Sequence, residues 1–520
     1  MSTYLRLAAG LFALVTASAC TDTVYRDRPP FNPPPDAASG FLGYYKAADQ
    51  QTTCGNCHVD HQADWLKHGH SEAWATLQAS GHAATYCYGC HGVSQNGNAV
   101  DTAAGINKVV SAAYYDVQCE NCHGPGEVHV TTPDANTSPL ARVNADTLGD
   151  PANPNPRGAG TCAECHTGVH EPYVDQWRLS RHGRANTHAY NNVSCQPCHE
   201  GRGALQSWGV TSNYIEKNQP ITADTLSGLG ITCAVCHDPH GNDNAGQLRF
   251  PIDVPTLEGN LCMKCHSRRF DPTPTSNSSG PHGPQGAVLL GTAGWWPSGS
   301  DTTPQATSHG DPTANPRLCA GCHVSKFTVT DTSGAFQLTS VGHLFRPIPC
   351  LDAQGNPEPG EENGCAYDAV SRNWSTCTGA GCHTVTAAVQ ALNASAAVIQ
   401  TLVDQIWVDV DHDRVVDSAT DGGYLSKVPK AAFNTTDGVI SVAEGALFNA
   451  QLWGTGLANH PDNSKGAHNP FLAQRQLAAT INALKTTYNL PAPPAAIQQL
   501  MDQGVVKAKA RGAAVPLSIR

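Results

Sequence analysis

Residues 118–129 read Gln-Cys-Glu-Asn-Cys-His-Gly-Pro-Gly-Glu-Val-His, and their first half contains the pattern that decides the fold. Two cysteines stand three positions apart, and a histidine directly follows the second one. Thiols at this spacing reach the two vinyl groups of one haem, and the next side chain then lies under the iron. The pattern therefore predicts a covalently attached haem with a histidine as its proximal ligand.

The same pattern occurs eight times in this chain of 520 residues, which has 21 Cys and 24 His. The predicted attachment cysteines are Cys54, Cys57, Cys87, Cys90, Cys119, Cys122, Cys162, Cys165, Cys195, Cys198, Cys233, Cys236, Cys262, Cys265, Cys319 and Cys322. The predicted proximal ligands are His58, His91, His123, His166, His199, His237, His266 and His323. Zinc also binds paired cysteines, but a zinc site gives no reason for a histidine after every pair.

A longer version of the pattern, with four residues between the cysteines, ends at His383. Its two glycines would permit the wider turn, so we predict a ninth haem on Cys377 and Cys382. The alternative pairs Cys365 with Cys382 and leaves Cys350 and Cys377 for a disulfide. If the ninth site is as predicted, Cys350 and Cys365 are expected to form a disulfide, with two buried free thiols as the alternative.

The second axial ligand decides between electron transfer and catalysis, because an iron with an open position can bind a substrate. The chain has only 3 Met, whereas fifteen of its 24 histidines remain after nine are assigned as proximal ligands. Histidine ligation on both faces therefore favours an electron carrier over an enzyme. The distal candidates are His70, His82, His129, His182, His188, His240, His282, His309, His343 and His468. The histidines expected not to be ligands are His61, His68, His170, His412 and His460.

The N-terminus has the features of an export signal. Residues 1–19 contain Arg6, then an apolar stretch, then a cleavage site of small residues. Cys20 follows at once, which is typical of a lipoprotein, so we expect a lipid on Cys20 that anchors the protein to a membrane. The alternative is ordinary cleavage without modification of Cys20. The proline-rich residues 20–50 are then expected to form a tether, and no later segment is predicted to span a membrane.

Residues 20–383 show little helical periodicity for so long a stretch, and within them residues 51–383 are predicted to form a multihaem cytochrome domain. A core made of haem explains this, because each haem supplies apolar surface that side chains usually provide. The expected fold is mostly irregular, with short α-helices around a haem-packed core. Residues 54–130 and 162–241 are interpreted as duplicated three-haem units, since each contains a tryptophan followed five positions later by a histidine. Residues 384–520 lack cysteine and show helical periodicity, which predicts a small α-helical region.

Acidic residues alternate between Asp409 and Asp417, in partial agreement with a calcium-binding loop. Arg414 stands where glycine is expected, and Thr420 stands where glutamate is expected, so an acidic surface turn is the alternative. A weaker half-match runs from Asp437 to Glu444.

Several stretches resemble bacterial multihaem cytochromes c with doubled Cys-x-x-Cys-His motifs. The likeness rests on residues 118–129, 177–182, 233–240 and 466–470, and it covers most of residues 54–470. The resemblance implies respiratory or extracellular electron transfer, and some relatives polymerise into haem filaments.

The net charge of −12 argues against a nucleic-acid partner and is compatible with a redox partner protein or an extracellular acceptor. Three hypotheses follow from the sequence. The first is an exported electron-transfer protein at the outer membrane or cell surface, with the periplasm as the alternative location. The second is a multihaem oxidoreductase with one open-site haem. The third is a subunit of an extracellular cytochrome filament.

Overall fold

The computed structural model describes most of the chain between residues 31 and 511. The described residues are 31–96, 100, 102–139, 141, 161–168, 170–183, 189, 192–210, 230–274, 280–330, 333–353, 355–357, 364–379 and 382–511. The predicted signal peptide, Cys20 and the distal candidate His188 lie outside these residues.

Short helices and turns make up most of the described chain before residue 384. The α-helices there are α1 (Val59–Trp65), α2 (Ala73–Ala79), α3 (Tyr88–His91), α4 (Cys119–His123), α5 (Glu127–Thr131), α6 (Tyr173–Leu179), α7 (Gln196–His199), α8 (Gly201–Ser207), α9 (Cys233–Cys236), α10 (Gln285–Leu290), α11 (Leu318–His323) and α12 (Ser375–Thr378). The 3₁₀ helices of the described chain are Ala47–Asp49, Cys54–Asn56, Gly69–Glu72, Thr85–Cys87, Ala112–Tyr114, Thr161–Glu164, Ala245–Gln247, Leu425–Lys427 and Lys430–Ala432.

Regular β-structure is sparse in the described residues. Strand β1 (Tyr44–Lys46) pairs antiparallel with β2 (Gln51–Thr52), and β3 (Phe327–Thr330) pairs antiparallel with β4 (Phe336–Ser340). The prediction of a mostly irregular fold with short helices is therefore confirmed.

A small apolar cluster surrounds Tyr114 and includes Phe41 and Ile106. The Tyr114 hydroxyl donates to the Phe41 carbonyl at 2.7 Å and accepts from the Asp36 N–H at 2.9 Å. Both aromatic side chains are fully buried. Packed structure therefore begins well before residue 51, inside the segment expected to be a tether.

Four longer helices follow the last attachment motif: α13 (Val385–Ile406), α14 (Val442–Trp453), α15 (Pro470–Thr487) and α16 (Ala495–Arg511). They enclose a hydrophobic cluster that includes Leu402, Trp407 and Leu477. Ser441 and Glu444 form a capping box at the start of α14, which satisfies N–H groups that the helix itself leaves unpaired. The predicted C-terminal helical region is confirmed.

Helix α13 is long and apolar enough to cross a membrane by length and composition, although the sequence analysis predicted no such segment. Its second half packs inside the C-terminal cluster, where Ile399, Leu402, Val403 and Ile406 are buried. Its first half is largely exposed. Burial against α14 and α15 accounts for the apolar residues of the second half.

Side-chain amides of the C-terminal helices hold the segment between the seventh and eighth attachment motifs. Asn449 accepts from the Trp295 N–H at 2.8 Å and donates to the Trp295 carbonyl at 2.8 Å. Gln476 donates to the Ala293 carbonyl at 2.9 Å. Ala287, Val288 and Ala293 also belong to the hydrophobic cluster of the helices. These contacts fix the four helices against residues 287–295.

Candidate haem-binding cavity

A continuous cavity of about 5850 Å³ is lined by cysteines and histidines from all nine predicted motifs. Divided equally among nine sites, this volume gives each about 650 Å³, within the range of about 300–1,000 Å³ typical of a single-ligand pocket. All eighteen predicted attachment cysteines are thiols outside any disulfide. The cavity therefore has the size and the reactive groups for one haem at each motif.

A recurring hydrogen bond shapes the attachment turns. The N–H of the histidine donates to the carbonyl of the first cysteine, at 3.0 Å from His58, 2.9 Å from His166 and 2.8 Å from His237. Each of these bonds closes one helical turn around a cysteine pair. The short spacing therefore produces the same local geometry in motifs that are far apart along the chain.

The longer motif forms the same hydrogen bond despite its two extra residues. The N–H of His383 donates to the carbonyl of Cys377 at 3.1 Å. Cys350 and Cys365 form a disulfide, with Cα atoms 6.0 Å apart, so the predicted pairing is confirmed. Because Cys365 is engaged, its alternative pairing with Cys382 does not occur. Residues 377–383 thus resemble the eight shorter motifs in backbone geometry.

Seven proximal histidines face a second histidine across the cavity. Two imidazoles bound to opposite faces of one metal, with metal–nitrogen distances of about 2 Å, have ring centroids about 6 Å apart. The observed centroid distances are 6.3 Å for His123 and His240, 6.1 Å for His166 and His70, 5.9 Å for His199 and His282, 6.4 Å for His237 and His343, 6.2 Å for His266 and His182, 6.2 Å for His323 and His468, and 6.3 Å for His383 and His309. In each of the seven pairs, the ring that faces the proximal histidine belongs to a residue that the sequence predicts as a distal candidate.

His58 has two histidines nearby. The ring of His61 lies 6.2 Å from that of His58, but the two residues are three positions apart, which leaves no room for a porphyrin between them. The pKa of His58 is lowered by burial, by His61 and by His129. His129 is therefore the candidate that can approach this site from another part of the chain.

The proximal histidine of the second motif, His91, is placed differently from the others. Within the described part of the chain, no histidine ring faces it at about 6 Å. The distal candidate His82 is exposed, and His188 lies outside the described residues. The structure therefore does not bring together a pair at this motif.

Hydrogen bonds at Nδ1 fix the tautomer of several of these imidazoles. The Nδ1–oxygen distances to backbone carbonyls are 2.9 Å from His91 to Ala73, 3.0 Å from His123 to Pro139, 2.6 Å from His237 to Gly246, 2.9 Å from His323 to Phe345, 2.6 Å from His309 to Ala467 and 3.1 Å from His343 to Val341. Because a carbonyl only accepts, Nδ1 must carry the hydrogen. Nε2 then has the free lone pair that binds a metal.

Burial keeps most of the facing histidines neutral, as a metal ligand must be. It lowers the pKa of His70 and His240 to about 4 and that of His182 to about 3. His468 is the exception, because its Nδ1 lies 2.6 Å from the buried carboxylate of Asp462. Burial disfavours the charged form there, but Asp462 outweighs burial and raises the pKa of His468.

Three of the five histidines predicted not to be ligands pack against a facing histidine. The ring centroids are 4.2 Å apart for His61 and His240, 5.1 Å for His68 and His70, and 4.3 Å for His460 and His282. Sequence reasoning missed this role. Only the His-x-His spacing at 68–70 gives a local signal, since the other two contacts join distant parts of the chain.

Arginine atoms without partners indicate an anion beside the attachment turns. Nε of Arg178, Nη2 of Arg202 and Nε of Arg269 are buried and donate to no partner among the described residues. Arg202 and Arg269 each stand three positions after a proximal histidine, His199 and His266. An unpaired buried donor costs about 1–3 kcal/mol. Haem carries two carboxylates, so these donors fit that cofactor.

Cysteines from different motifs lie side by side in the cavity. The thiols in direct contact are Cys54 with Cys119, Cys90 with Cys165, Cys162 with Cys233, Cys198 with Cys265, and Cys262 with Cys319. Those near enough to interact electrostatically are Cys122 with Cys162, Cys236 with Cys265, and Cys322 with Cys377. Together these contacts connect all nine motifs into one network.

A match to a protein-family model covers two of these motifs. Residues 228–270 match a protein-family model described as "Doubled CXXCH motif". The chain is 23% identical over 203 residues to "Multiheme cytochrome MtrA" of Shewanella baltica (strain OS185), which covers 36% of this chain and 54% of that protein. This chain therefore spans about half the length of the curated relative that it matches. The crystal structure of "Outer Cell Wall Cytochrome OcwA" aligns with a TM-score of 0.42 at 18% identity, over 76% of this chain and 75% of that chain.

The family-model match contains two complete attachment motifs, Cys233–His237 and Cys262–His266. In the structure their cysteines are free thiols, and their histidines face His343 and His182. Electron transfer is the activity that such motifs support in multihaem proteins. In these motifs the chain resembles multihaem c-type cytochromes.

Proposed function

We propose that this cytochrome binds nine c-type haems, mainly with two histidine ligands each, and carries electrons across or outside the cell envelope. The observation that carries the proposal is the connected series of attachment sites. Bound haem would supply the exchange of single electrons between ferrous and ferric iron. The cysteines and histidines of the motifs would hold these groups at fixed positions in the cavity.

The thiol contacts order the sites, numbered here along the chain. Site 1 adjoins site 3, and the series continues through sites 4, 6, 7, 8 and 9. Site 2 branches from site 4 through Cys90, and site 5 branches from site 7 through Cys198. The two exposed attachment thiols are Cys57 and Cys382, at opposite ends of the main series. Electrons would therefore enter and leave at sites 1 and 9.

The facing histidines support a carrier rather than an enzyme, because two strong ligands leave no iron position for a substrate. Seven sites have such pairs. An oxidoreductase with one open haem is the alternative. The open haem of that alternative would be the one at site 2, because no histidine ring faces His91 within the described part of the chain.

We further propose that the protein is exported and anchored through a lipid on Cys20, at the outer membrane or cell surface. The signal-like residues 1–19 and the small residues before Cys20 support this proposal. The net charge of −12 suits a redox partner with a basic surface or an extracellular acceptor. Assembly into a homopolymeric filament is the further possibility that the family resemblance raises.

Intact-mass and optical measurements test these proposals together. We expect the mass of the purified protein to show nine haems, a lipid on Cys20 and a spectrum of low-spin iron. A count of eight would show that no haem is attached at Cys377 and Cys382. One high-spin haem per chain would favour the oxidoreductase, and filaments in electron micrographs of cell surfaces would favour the polymer.

A matched pair of histidine variants tests the ligand assignment. His309→Ala removes the ring that faces His383 and should convert one haem to the high-spin form. His412→Asn changes an exposed histidine outside the cavity, and asparagine tolerates the φ of 62° found there. The control should leave the spectrum unchanged. An unaltered spectrum for His309→Ala would rule out His309 as the ligand.

A further inference from the structure

Three carboxylates gather outside the haem cavity, in the loop that links α13 to α14. Asp409, Asp411 and Asp413 each offer an oxygen, and these oxygens all lie within 4.8 Å of one another. Acidic clusters are common on protein surfaces, so the cluster alone does not indicate a ligand. The second observation is the burial of Asp409 and the lack of a hydrogen bond to one of its oxygens.

Asp409 is only 6% exposed, and its Oδ1 has no hydrogen-bond partner within the described chain. Its other oxygen accepts from the Arg414 N–H at 3.1 Å. A buried carboxylate oxygen without a donor is unfavourable unless a cation satisfies it. The same carboxylate belongs to the three-residue group, so a cation bound there through Oδ1 of Asp409 would satisfy the orphaned atom.

The backbone of the loop has the turn that a calcium loop needs. Loops of this type place glycine at the sixth position, because the chain bends sharply there. Arg414 stands at this position with φ of 65°, and His412 has φ of 62°. Arg414 therefore adopts the left-handed conformation that glycine would provide. The loop therefore differs from the calcium-binding pattern in residue type at position 414, but not in backbone conformation.

The ends of the loop are closed independently of any ion. Val408 and Gly422 exchange backbone hydrogen bonds of 3.2 and 3.0 Å. The carboxylate of Asp421 accepts from the Trp407 indole at 2.9 Å and from the Asp417 N–H at 3.0 Å. Asp421 is thus occupied in holding the loop. Asp409, Asp411 and Asp413 are left to contact a ligand.

We propose that this loop binds one calcium ion through Asp409, Asp411 and Asp413. Several carboxylates in a flexible surface loop suit Ca²⁺, whereas Mg²⁺ demands near-octahedral geometry and retains its waters. Thr420 replaces the glutamate that would add two further oxygens. The affinity should therefore be low, with a Kd in the range of about 10⁻⁴–10⁻³ M that is typical of extracellular modules.

The loop is also connected to the haem cavity. The Arg414 guanidinium donates to the Gly456 carbonyl at 3.0 Å and contacts the Asn459 side chain. Asn459 precedes His460, whose ring lies 4.3 Å from His282. An ion that fixes Arg414 would thus hold the segment that packs behind the ligand of site 5. This connection, unlike the ion site itself, rests on the proposed axial role of His282.

Titration calorimetry of the full-length, haem-loaded protein tests the site. After treatment with a chelator, the protein should bind one Ca²⁺ per chain, and Mg²⁺ at the same concentration should bind more weakly. Asp409→Asn and Asp411→Asn should each weaken binding at least tenfold. Asp411 is exposed, so its variant keeps the test valid if the buried change at Asp409 prevents folding.

Asp301→Asn is the matched control, because Asp301 is an exposed aspartate outside the loop that caps a similar turn by accepting from the Thr303 N–H at 3.0 Å. The control should bind Ca²⁺ like the unmodified protein. The proposal is overturned if no saturable binding of one ion occurs, or if the Asp409 and Asp411 variants bind as the control does. If the protein still binds Ca²⁺ although His282 is shown not to be a haem ligand, the calcium proposal stands and only the ligand assignment in the proposed function fails.

Discussion

The cysteine-rich region and the C-terminal helices bury apolar surface in different ways. The first encloses a cavity of about 5850 Å³, and its side-chain clusters are small, such as the one around Phe41 and Tyr114. The second fills its interior with side chains, which are its own except for a few such as Val288, and Leu402, Leu477 and Ile481 are fully buried. One region therefore needs a cofactor to complete its core, whereas the other is complete without one.

Preparing the chain without haem should give the largest difference between the two regions. In cells that cannot attach haem, residues 54–383 lose the groups that fill their cavity, and we expect them not to fold. Residues 385–511 keep their internal contacts and should remain helical. Limited proteolysis with mass spectrometry should show rapid cleavage of the first region and protection of the second. Equal protection of both would show that haem is not needed for the first core.

A substitution that creates a cavity between the C-terminal helices should destabilise those helices and leave the haem sites unchanged. Leu477→Ala removes a fully buried side chain from the C-terminal cluster and should lower the free energy of unfolding by about 2–5 kcal/mol. The haem spectrum should not change, because Leu477 does not line the haem cavity. Denaturation followed by far-ultraviolet circular dichroism measures the loss.

Leu66→Ala is the control for this substitution, since Leu66 is 43% exposed. It should change the free energy of unfolding by no more than about 0.5 kcal/mol. If Leu477→Ala altered the haem spectrum, the two cores would not be separate.

Local spacing made one part of the candidate site predictable. Two thiols and a histidine within five residues form their turn by themselves, so the attachment cysteines and proximal histidines follow directly from the sequence. The same holds for α13, whose apolar residues recur at helical spacing. The disulfide between Cys350 and Cys365 followed by elimination, because the other cysteines after Cys20 were assigned.

The pairing of distal histidines could not be predicted, because it depends on tertiary structure. The residue type was enough to mark His343 and His468 as candidates, but nothing near them in sequence indicates that they face His237 and His323. His460 was predicted not to be a ligand, and its contact with His282 was missed because it joins separate parts of the chain. The packed segment around Phe41 was missed for the same reason, since its buried partners lie beyond residue 90.

A buried carboxylate gives the cysteine-rich region its own pH dependence. Glu120, within the third attachment motif, accepts from the N–H groups of Leu42, Gly43 and Gly126 at 2.7–3.0 Å. Burial outweighs these bonds and raises the pKa of Glu120 from 4.5 to about 7. The folded state therefore holds a proton that the unfolded state releases. Stability from this group is present below about pH 4.5 and falls as the pH rises to about 7.

The size of this loss should be on the order of 3 kcal/mol, because one pKa unit corresponds to about 1.36 kcal/mol. Glu120→Gln should remove this part of the pH dependence, as measured by denaturation at several pH values between 4.5 and 7. Glu72→Gln alters an exposed glutamate and should preserve the slope. A slope that persists in the Glu120 variant would assign the effect to another group.

The smallest expected effect lies where the two regions meet. His468 and Asp462 belong to the chain around the C-terminal helices, yet His468 faces His323 of the eighth motif at 6.2 Å. The carboxylate 2.6 Å from Nδ1 would make the imidazole a stronger electron donor to a bound iron, and this would stabilise the ferric over the ferrous state. Asp462→Asn should therefore raise the reduction potential of one haem by tens of millivolts, since a tenfold change in equilibrium is about 59 mV for one electron.

A spectroelectrochemical titration measures this shift, with Asp404→Asn, a change at an exposed aspartate, as the control. No shift in the Asp462 variant would mean that the helices support the eighth site by packing alone, whereas a shift of one haem would show that they also set its potential.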